Sequence, residues 1–326
     1  MQTTQNTEEK ALQRAVRAAL AAPSIFNTQP WRWRIDGPRA RLYADRSRQL
    51  LVADPDGRLM TVSCGAALHH GRVALADAGE ACDIARMPDP TEPDLLATIR
   101  VTGPHEPTLA EMQAAAAINR RRTDRRPFTA QPVGDAICRT LIVAAESEHA
   151  HALVVDDSHI AVLGLIAVEA GALQLSDAYY RAELADWTHR PPWSGDGVDT
   201  AGAVPAAPRR VPVRDYAPFG GPVMHPGWEN DRGARYLLVY TDGDTPVHWL
   251  RAGEALSALL LTAVATGLST APISDVTELP TTRDQLRTLL PGIGHPQIAV
   301  RVGYGPPGEP PPSTTRRLAE EVINPR

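Results

Sequence analysis

A chain of 326 residues and 35.1 kDa is long enough for one large core or two joined ones. With 43% hydrophobic and 22% charged residues it is an ordinary globular composition rather than a disordered one. Its net charge of −5 excludes a general nucleic-acid or membrane-surface binder.

Residues 8–22 carry apolar side chains at helical spacing (Ala11, Leu12, Ala15, Val16, Ala19, Leu20), and Pro23 is expected to stop that helix. Next comes "PSIFNTQPW", which has neither strand alternation nor the composition of a solvated linker. Its hydroxyls and amides suit the edge of a heteroaromatic ring or a polyol, but taken alone they read more readily as turn residues that cap nearby backbone. Residues 31–35 and 39–43 read as two strands joined at "DGP", a hairpin signal. A long helix is predicted over 61–78, closed by Gly79, then a strand over 97–102 and a helix over 108–121. That helix runs into "INRRRTDRRPF", where Arg120, Arg121, Arg122, Arg125 and Arg126 crowd around Thr123 and Asp124. So much like charge is self-repelling unless an anion, carboxylates or solvent relieve it. A phosphate cradle and a solvated helix end fit that pattern equally well.

The later chain echoes the earlier. "CGAALHHGRVALADAG" and "AGEALSALLLTAVATG" share a frame that aligns Gly65 with Gly253, Leu68 with Leu256 and Gly79 with Gly267. Strand-like runs flank both, "RARLYAD" and "TIRVTGP" around the first, "RYLLVYTD" and "AVRVGYGP" around the second. The match predicts a weak internal duplication, two related halves packed about a local two-fold axis. Between them, residues 187–230 hold eight prolines and Trp187, Trp193 and Trp228 with little periodicity. A linker would be polar and poor in tryptophan, so the segment reads as a lid whose aromatic residues pack on something.

Several alternatives fall away. "GYGPPG" at 303–308 satisfies G-x-G-x-x-G, but prolines follow it and no helix opens there, so it is no dinucleotide fingerprint. Lys10 is the single lysine and lies in a polar run, which leaves no good Schiff-base candidate. His69, His70, His149 and His151 have no metal-ligand spacing. Cys64, Cys82 and Cys138 suggest neither a disulfide framework nor a zinc site. No apolar run reaches the roughly 18 residues that span a bilayer. The polar opening "MQTTQNTEEKALQ" does not read as a secretory signal, and a cytoplasmic protein is expected.

Taken together, the segments resemble the nitroreductase-like flavoprotein family, and within it the single-chain Acg-like branch. "APSIFNTQPWRW" is similar to the family's P-S-x-x-N-x-Q-P-W segment and "RRTDRRPF" to its R-x-[ST]-x-R motif. "ALLLTAVATGLSTAPIS" is similar to its central helix and following loop, and "RVGYGPP" with "TTRRLAEEVI" to its C-terminal turn and basic tail. The resemblance implies an α+β fold of mixed or antiparallel sheets packed with helices, with halves at 1–104 and 105–326 imitating the family homodimer. It implies one FMN site per chain, with Ser24, Asn27 and Gln29 approaching from one half. Arg121 and Thr123 would meet the phosphate and ribityl chain, Arg125 the pyrimidine side of the ring. Arg316 and Arg317 would close on the phosphate, and the backbone of Ile273 and Ser274 would face the ring nitrogen that takes hydride. Pro127 stands where the family usually has an aromatic residue, with Phe128 one later, so Arg125 and Arg126 compete for one register. The activity implied is transfer of electrons from NAD(P)H through FMN to a nitroaromatic or quinone-type small molecule. The alternative is an FMN storage protein whose lid at 187–230 blocks turnover. Neither nucleic acid nor membrane is an expected partner, and dimerisation beyond the single-chain pseudo-dimer stays open.

Overall fold

The computed structural model describes residues 2–205, 207–218, 220 and 223–324. In chain order, α1 (Gln2–Ala19) precedes the hairpin β1 (Trp31–Asp36) and β2 (Arg39–Ala44), then α2 (Arg58–Asp77), β3 (Glu80–Arg86) and β4 (Leu95–Pro104). Helices α3 (Leu109–Ile118) and α4 (Asp135–Glu146) lead to β5 (His151–Val154), α5 (Ile160–Ser176) and α6 (Ala178–Thr188). After the proline-rich segment come β6 (Arg235–Thr241), α7 (Pro246–Ala265), β7 (Ser269–Ile273) and β8 (His295–Gly303). Residues 206, 219, 221 and 222 of the expected lid, and residues 1, 325 and 326 of the expected halves, lie outside the described residues.

The fold is α+β, with two four-stranded sheets ordered β1-β2-β4-β3 and β5-β6-β8-β7. Every pairing is antiparallel. The hairpin follows the pleat: Trp31, Trp33 and Ile35 are buried while Arg32, Arg34 and Asp36 face out. Strand β3 has no sequence signal of its own. It is a half-exposed edge strand of small and polar residues, created by its pairing with β4.

Helices α2 and α7 are apolar nearly all round and are buried along most of their length, as such helices must be. They cross at the aligned glycines. A Cβ on Gly65 would collide with the Leu250 carbonyl oxygen and lie 2.9 Å from Gly253 Cα, and one on Gly253 would collide with the Val62 carbonyl. The G-x-A-L frame in both helices is thus a close-approach frame. Each helix supports a sheet-bound core of its own, Leu68 and Leu75 packing with the first sheet, Leu256 and Leu259 with the second.

Two boundaries differ from expectation for tertiary reasons. Helix α1 ends at Ala19, because the carbonyls of Leu20, Ala21 and Ala22 turn to accept hydrogen bonds from Arg316. Helix α3, opened by a Thr108–Glu111 capping box, ends at Ile118 so that Thr123 can bridge to Thr270 on β7. The C-terminal tail leaves the second sheet at Gly303 and crosses to the first, where Ile323 bridges Trp33 and Val322 is buried in the first core. Residues 319–324 therefore pack with the first sheet although their chain position follows the second.

Among the described residues one helix, Asp157–Ser176, is long and apolar enough to cross a membrane by length and composition alone, with mean hydropathy 1.6, although Glu169 and Gln174 interrupt it and no unbroken apolar run of about 18 residues occurs there. Its Ile160, Leu163, Ile166 and Ala167 pack on the second sheet, while Leu165 and Val168 are exposed.

Candidate functional site

A cleft with roughly 800 Å³ of free space, open mouth included, lies where distant parts of the chain converge. Pro23 to Asn27 form one wall, the first turns of α2 (Leu59, Val62, Ser63) the floor beside them. Arg121, Thr123 and Arg125 enter from the loop after α3, Pro272 and Ser274 from the end of β7, Thr314 and Arg316 from the tail. Val198 and Tyr216 of the proline-rich segment complete the rim.

The wall 23–30 is shaped by local polar contacts and by strain. Gln29 N donates to Ser24 Oγ at 2.9 Å, and Ile25 N donates to Ser63 Oγ at 3.1 Å. Phe26, Asn27 and Gln29 all have positive φ, 46°, 53° and 49°. Non-glycine residues in that region cost about 1–2 kcal/mol each, and such strain gathers at functional sites. The compensation is a dense set of long-range bonds. Asn27 Nδ2 donates to the Gly197 and Thr315 carbonyls at 3.0 and 3.2 Å. Gln29 Nε2 donates to Gly195 O at 2.8 Å, and its Oε1 accepts from Arg317 N at 2.9 Å. The two amides therefore tie the insert and the tail to this wall. Asn27 still lines the cleft, whereas Gln29 does not.

The arginine cluster resolves residue by residue. Arg126 is neutralised by Asp124, donating to both carboxylate oxygens at 3.0 and 2.8 Å. Arg122 bonds the carbonyls of Asn119 and Arg121. Arg125 lines the cleft with its guanidinium 4.4 Å from the Tyr216 ring centre, whereas Arg126 is not among the lining residues. Arg121 is 4% exposed and, among the described residues, nothing accepts from its Nε or Nη1. Burial, then the charges of Arg316 and Arg122, push its pKa down to about 9. Arg316 is likewise pushed down to about 10 by burial. It donates only to neutral oxygens, among them Leu20 O at 2.9 Å, Asn27 Oδ1 at 3.2 Å and Thr314 Oγ1 at 2.6 Å. Arg121, buried, and Arg316, half-buried, face one cleft with no carboxylate against either among the described residues. Buried polar groups are paired in more than about 90% of cases, so this pair calls for an anion.

The loop that presents these arginines is held rigid by Arg301, which sequence reasoning missed. It is fully buried, pairs with both oxygens of Asp231 at 2.9 and 2.7 Å, and donates to the Asp124 and Arg126 carbonyls at 2.8 and 3.0 Å. Its guanidinium also lies 4.1 Å from the Phe128 ring centre. Nothing in the alternation of "AVRVGYGP" separates such an arginine from an outward one.

Three expectations are corrected. Arg317 does not line the cleft, since its guanidinium turns toward Gln29 O at 3.4 Å and Glu321 at 3.7 Å. Ile273 lies in a small adjoining pocket with Arg214 and Asp275, whereas Ser274, like Arg125, Tyr216 and Pro272, reaches both spaces. Trp193 and Trp228 are 86% and 94% exposed, while Trp187 packs between Arg48 and Arg190, so the tryptophans are not the residues over the cleft. Leu59, Val62, Ser63 and Tyr216 line the cleft without having been anticipated. The helix residues carry no signal beyond core periodicity, and Tyr216 lies in a stretch with none.

A second cleft opens on the far side of α2, lined among others by His69, Arg72, Cys82, His105, Glu111 and Glu148. Here the cations are paired. Arg72 bridges Glu148 and Glu254, and Arg86 grips Glu254 at 2.6 and 2.9 Å.

Residues 118–304 match the family model described as Nitroreductase family. "Putative NAD(P)H nitroreductase Rv3131" of Mycobacterium tuberculosis (strain ATCC 25618 / H37Rv) is 39% identical over 310 residues, covering 94% of this chain and 88% of that one. "Putative NAD(P)H nitroreductase acg" of the same strain is 36% identical over 315 residues, covering 96% and 95%. A solved nitroreductase with bound FMN from Bacteroides fragilis NCTC 9343 matches 63% of this chain and 95% of its own at 13% identity and a TM-score of 0.38. With a family match over more than half of its length and relatives aligned nearly end to end, the chain belongs to the Nitroreductase family.

Proposed function

We propose that the chain binds FMN in the cleft at Arg121 and works as an NAD(P)H-dependent oxidoreductase that passes electrons to nitroaromatic or quinone-type small molecules. The observation that carries this reading is the buried Arg121 guanidinium beside Arg316, its Nε and Nη1 without a partner among the described residues. A phosphate monoester supplies the missing charge, and the family membership makes FMN its bearer. Arg121 and Arg316 hold the phosphate, and Ser24, Asn27 and Thr123 serve the polyol chain. Arg125 stands where negative charge on the ring system needs a cation, and the backbone at Ser274 reaches the ring. Bound FMN supplies the redox chemistry, while these residues bind, orient and shield it from water.

Two halves, 1–104 and 105–326, form one site because each contributes one wall. The matching strand orders of the two sheets and the glycine crossing support a duplicated pair that imitates a dimer within one chain. A second reading, flavin storage, draws on Val198 and Tyr216, which reach the cleft from the proline-rich segment and narrow its mouth. An absorption spectrum before and after added FMN tests binding, and a flavin band near 450 nm is the expected result. Anaerobic NADPH then separates the readings, since bleaching of that band supports the oxidoreductase and persistence of the band supports storage. A protein that stays colourless after FMN overturns both.

A further inference from the structure

Helix α5 is apolar on every side, and a helix of that kind is normally enclosed by its neighbours. Here one side is covered and the other is not. Leu163, Ile166, Ala167 and Ala170 lie at helical spacing and are buried, the first three packed with the second sheet. The opposite side faces water and follows a stricter pattern. Ala161, Leu165, Val168, Ala172 and Leu175 stand alternately four and three residues apart, and all are exposed, Leu165 by 69% and Val168 by 55%. A four-three repeat of apolar residues is the seam along which two helices pack, and a solvent-facing helix carries polar residues in those places. Glu169 is the single ionisable residue of α5. It flanks the seam, and its carboxylate accepts from Gln285 Nε2 at 2.9 Å.

The extent of the stripe points to what covers it. With Val162 and Leu173 at its edges it presents on the order of 500 Å² of apolar surface, near the upper end of the largest patches that monomers leave in water, about 300–600 Å². Two such stripes face to face remove about 1,000 Å², the least that a specific interface requires.

The stripe also complements itself. When two copies cross antiparallel about an axis at the level of Ala170, Leu165 of one copy meets Leu175 of the other, and Val168 meets Ala172. Each pair then occurs twice, as an isologous two-fold contact requires. A parallel pairing would set Ala161 on Ala161 and Ala172 on Ala172, leaving gaps where close packing is needed. None of the seam residues lines the cleft at Arg121 or the small pocket beside it.

We propose that this seam joins two copies of the chain into a homodimer, α5 packed antiparallel on α5. The proposal is independent of what the cleft binds.

Sedimentation equilibrium of the full chain tests it, and a species of twice 35.1 kDa is expected at micromolar concentrations. Leu165→Asp and Val168→Asp should each weaken the dimer about 100-fold or more, because every substitution enters the interface twice. Both side chains are exposed in the single chain, so the far-UV circular dichroism of these variants should match the wild type. Glu169→Gln should tighten the dimer about two- to five-fold at low salt, since the antiparallel axis brings Glu169 beside its own copy. A chain that stays at 35.1 kDa overturns the proposal, and flotation of that monomer with phosphatidylcholine vesicles would assign the stripe to a lipid surface instead. A dimer that survives Leu165→Asp overturns it as well, placing the contact elsewhere. A dimer that Glu169→Gln leaves unaltered overturns the antiparallel arrangement.

Discussion

The two clefts flanking α2 contain similar ingredients in opposite states. At the second cleft Arg72 and Arg86 share Glu254, which is fully buried, and Arg72 also takes Glu148. At the first, among the described residues, Arg121 Nε and Nη1 find no acceptor and Arg316 finds carbonyls, an amide and a hydroxyl. A buried guanidinium with its carboxylate is electrostatically complete, and a ligand gains little there. The same group without a carboxylate is destabilising until an anion arrives. A site can therefore be recognised by what its charges lack.

The sharpest way to break this contrast is Glu254→Ala. Removing the shared carboxylate strands Arg86 and leaves Arg72 with Glu148 alone, and a loss of about 3–5 kcal/mol in denaturant unfolding is expected. Unchanged stability would mean that the second cleft does not depend on its pairs. Arg121→Ala should do the opposite. The free protein should keep or gain stability, while FMN binding weakens by about 1.5–3 kcal/mol in fluorescence titration. Arg317→Ala should weaken FMN far less than Arg316→Ala, since Arg317 is spent on Gln29 and Glu321.

A smaller effect concerns pH. Burial pushes His69 down to about 3 and His70 well below its usual value. Unfolded imidazoles bind protons below about pH 6.5 that the folded ones refuse, so stability is full above that pH and falls as pH drops through it. The slope is up to about 1.4 kcal/mol per pH unit for each histidine. His69→Gln should flatten it in urea melts between pH 6.5 and 4, and an unchanged slope would show that other groups govern it. Smallest of all, Trp193→Ala and Trp228→Ala should change FMN affinity and stability by no more than about 0.5 kcal/mol. Tyr216→Ala, at the rim, should raise flavin access to added iodide in quenching experiments.

Much of the fold was legible because the signals are local. The hairpin shows in the alternation of Trp31, Trp33 and Ile35, and α3 in the helical run that opens at Thr108, whereas the aligned Gly65 and Gly253 gave only a repeat and not the crossing of α2 and α7. Strand β3 was not legible, since an edge strand of mixed residues exists only through its neighbour. The site was legible in part. Ser24, Asn27, Arg121, Thr123, Arg125, Ser274 and Arg316 do meet at one cleft, whereas Gln29 and Arg317 are near it but bound to other groups.

The amino-acid order by itself determined the hairpin, α2 and α3, because pleat alternation, helical spacing and capping act over a few residues. It also supplied the surplus of arginine. Which of those arginines lacks a counter-charge was decided by the tertiary structure alone. Pairing depends on contacts such as Arg126 with Asp124, Arg301 with Asp231 and Arg86 with Glu254, and only packing selects among the carboxylates available. Arg121 is left over by that selection, and the cleft follows from it.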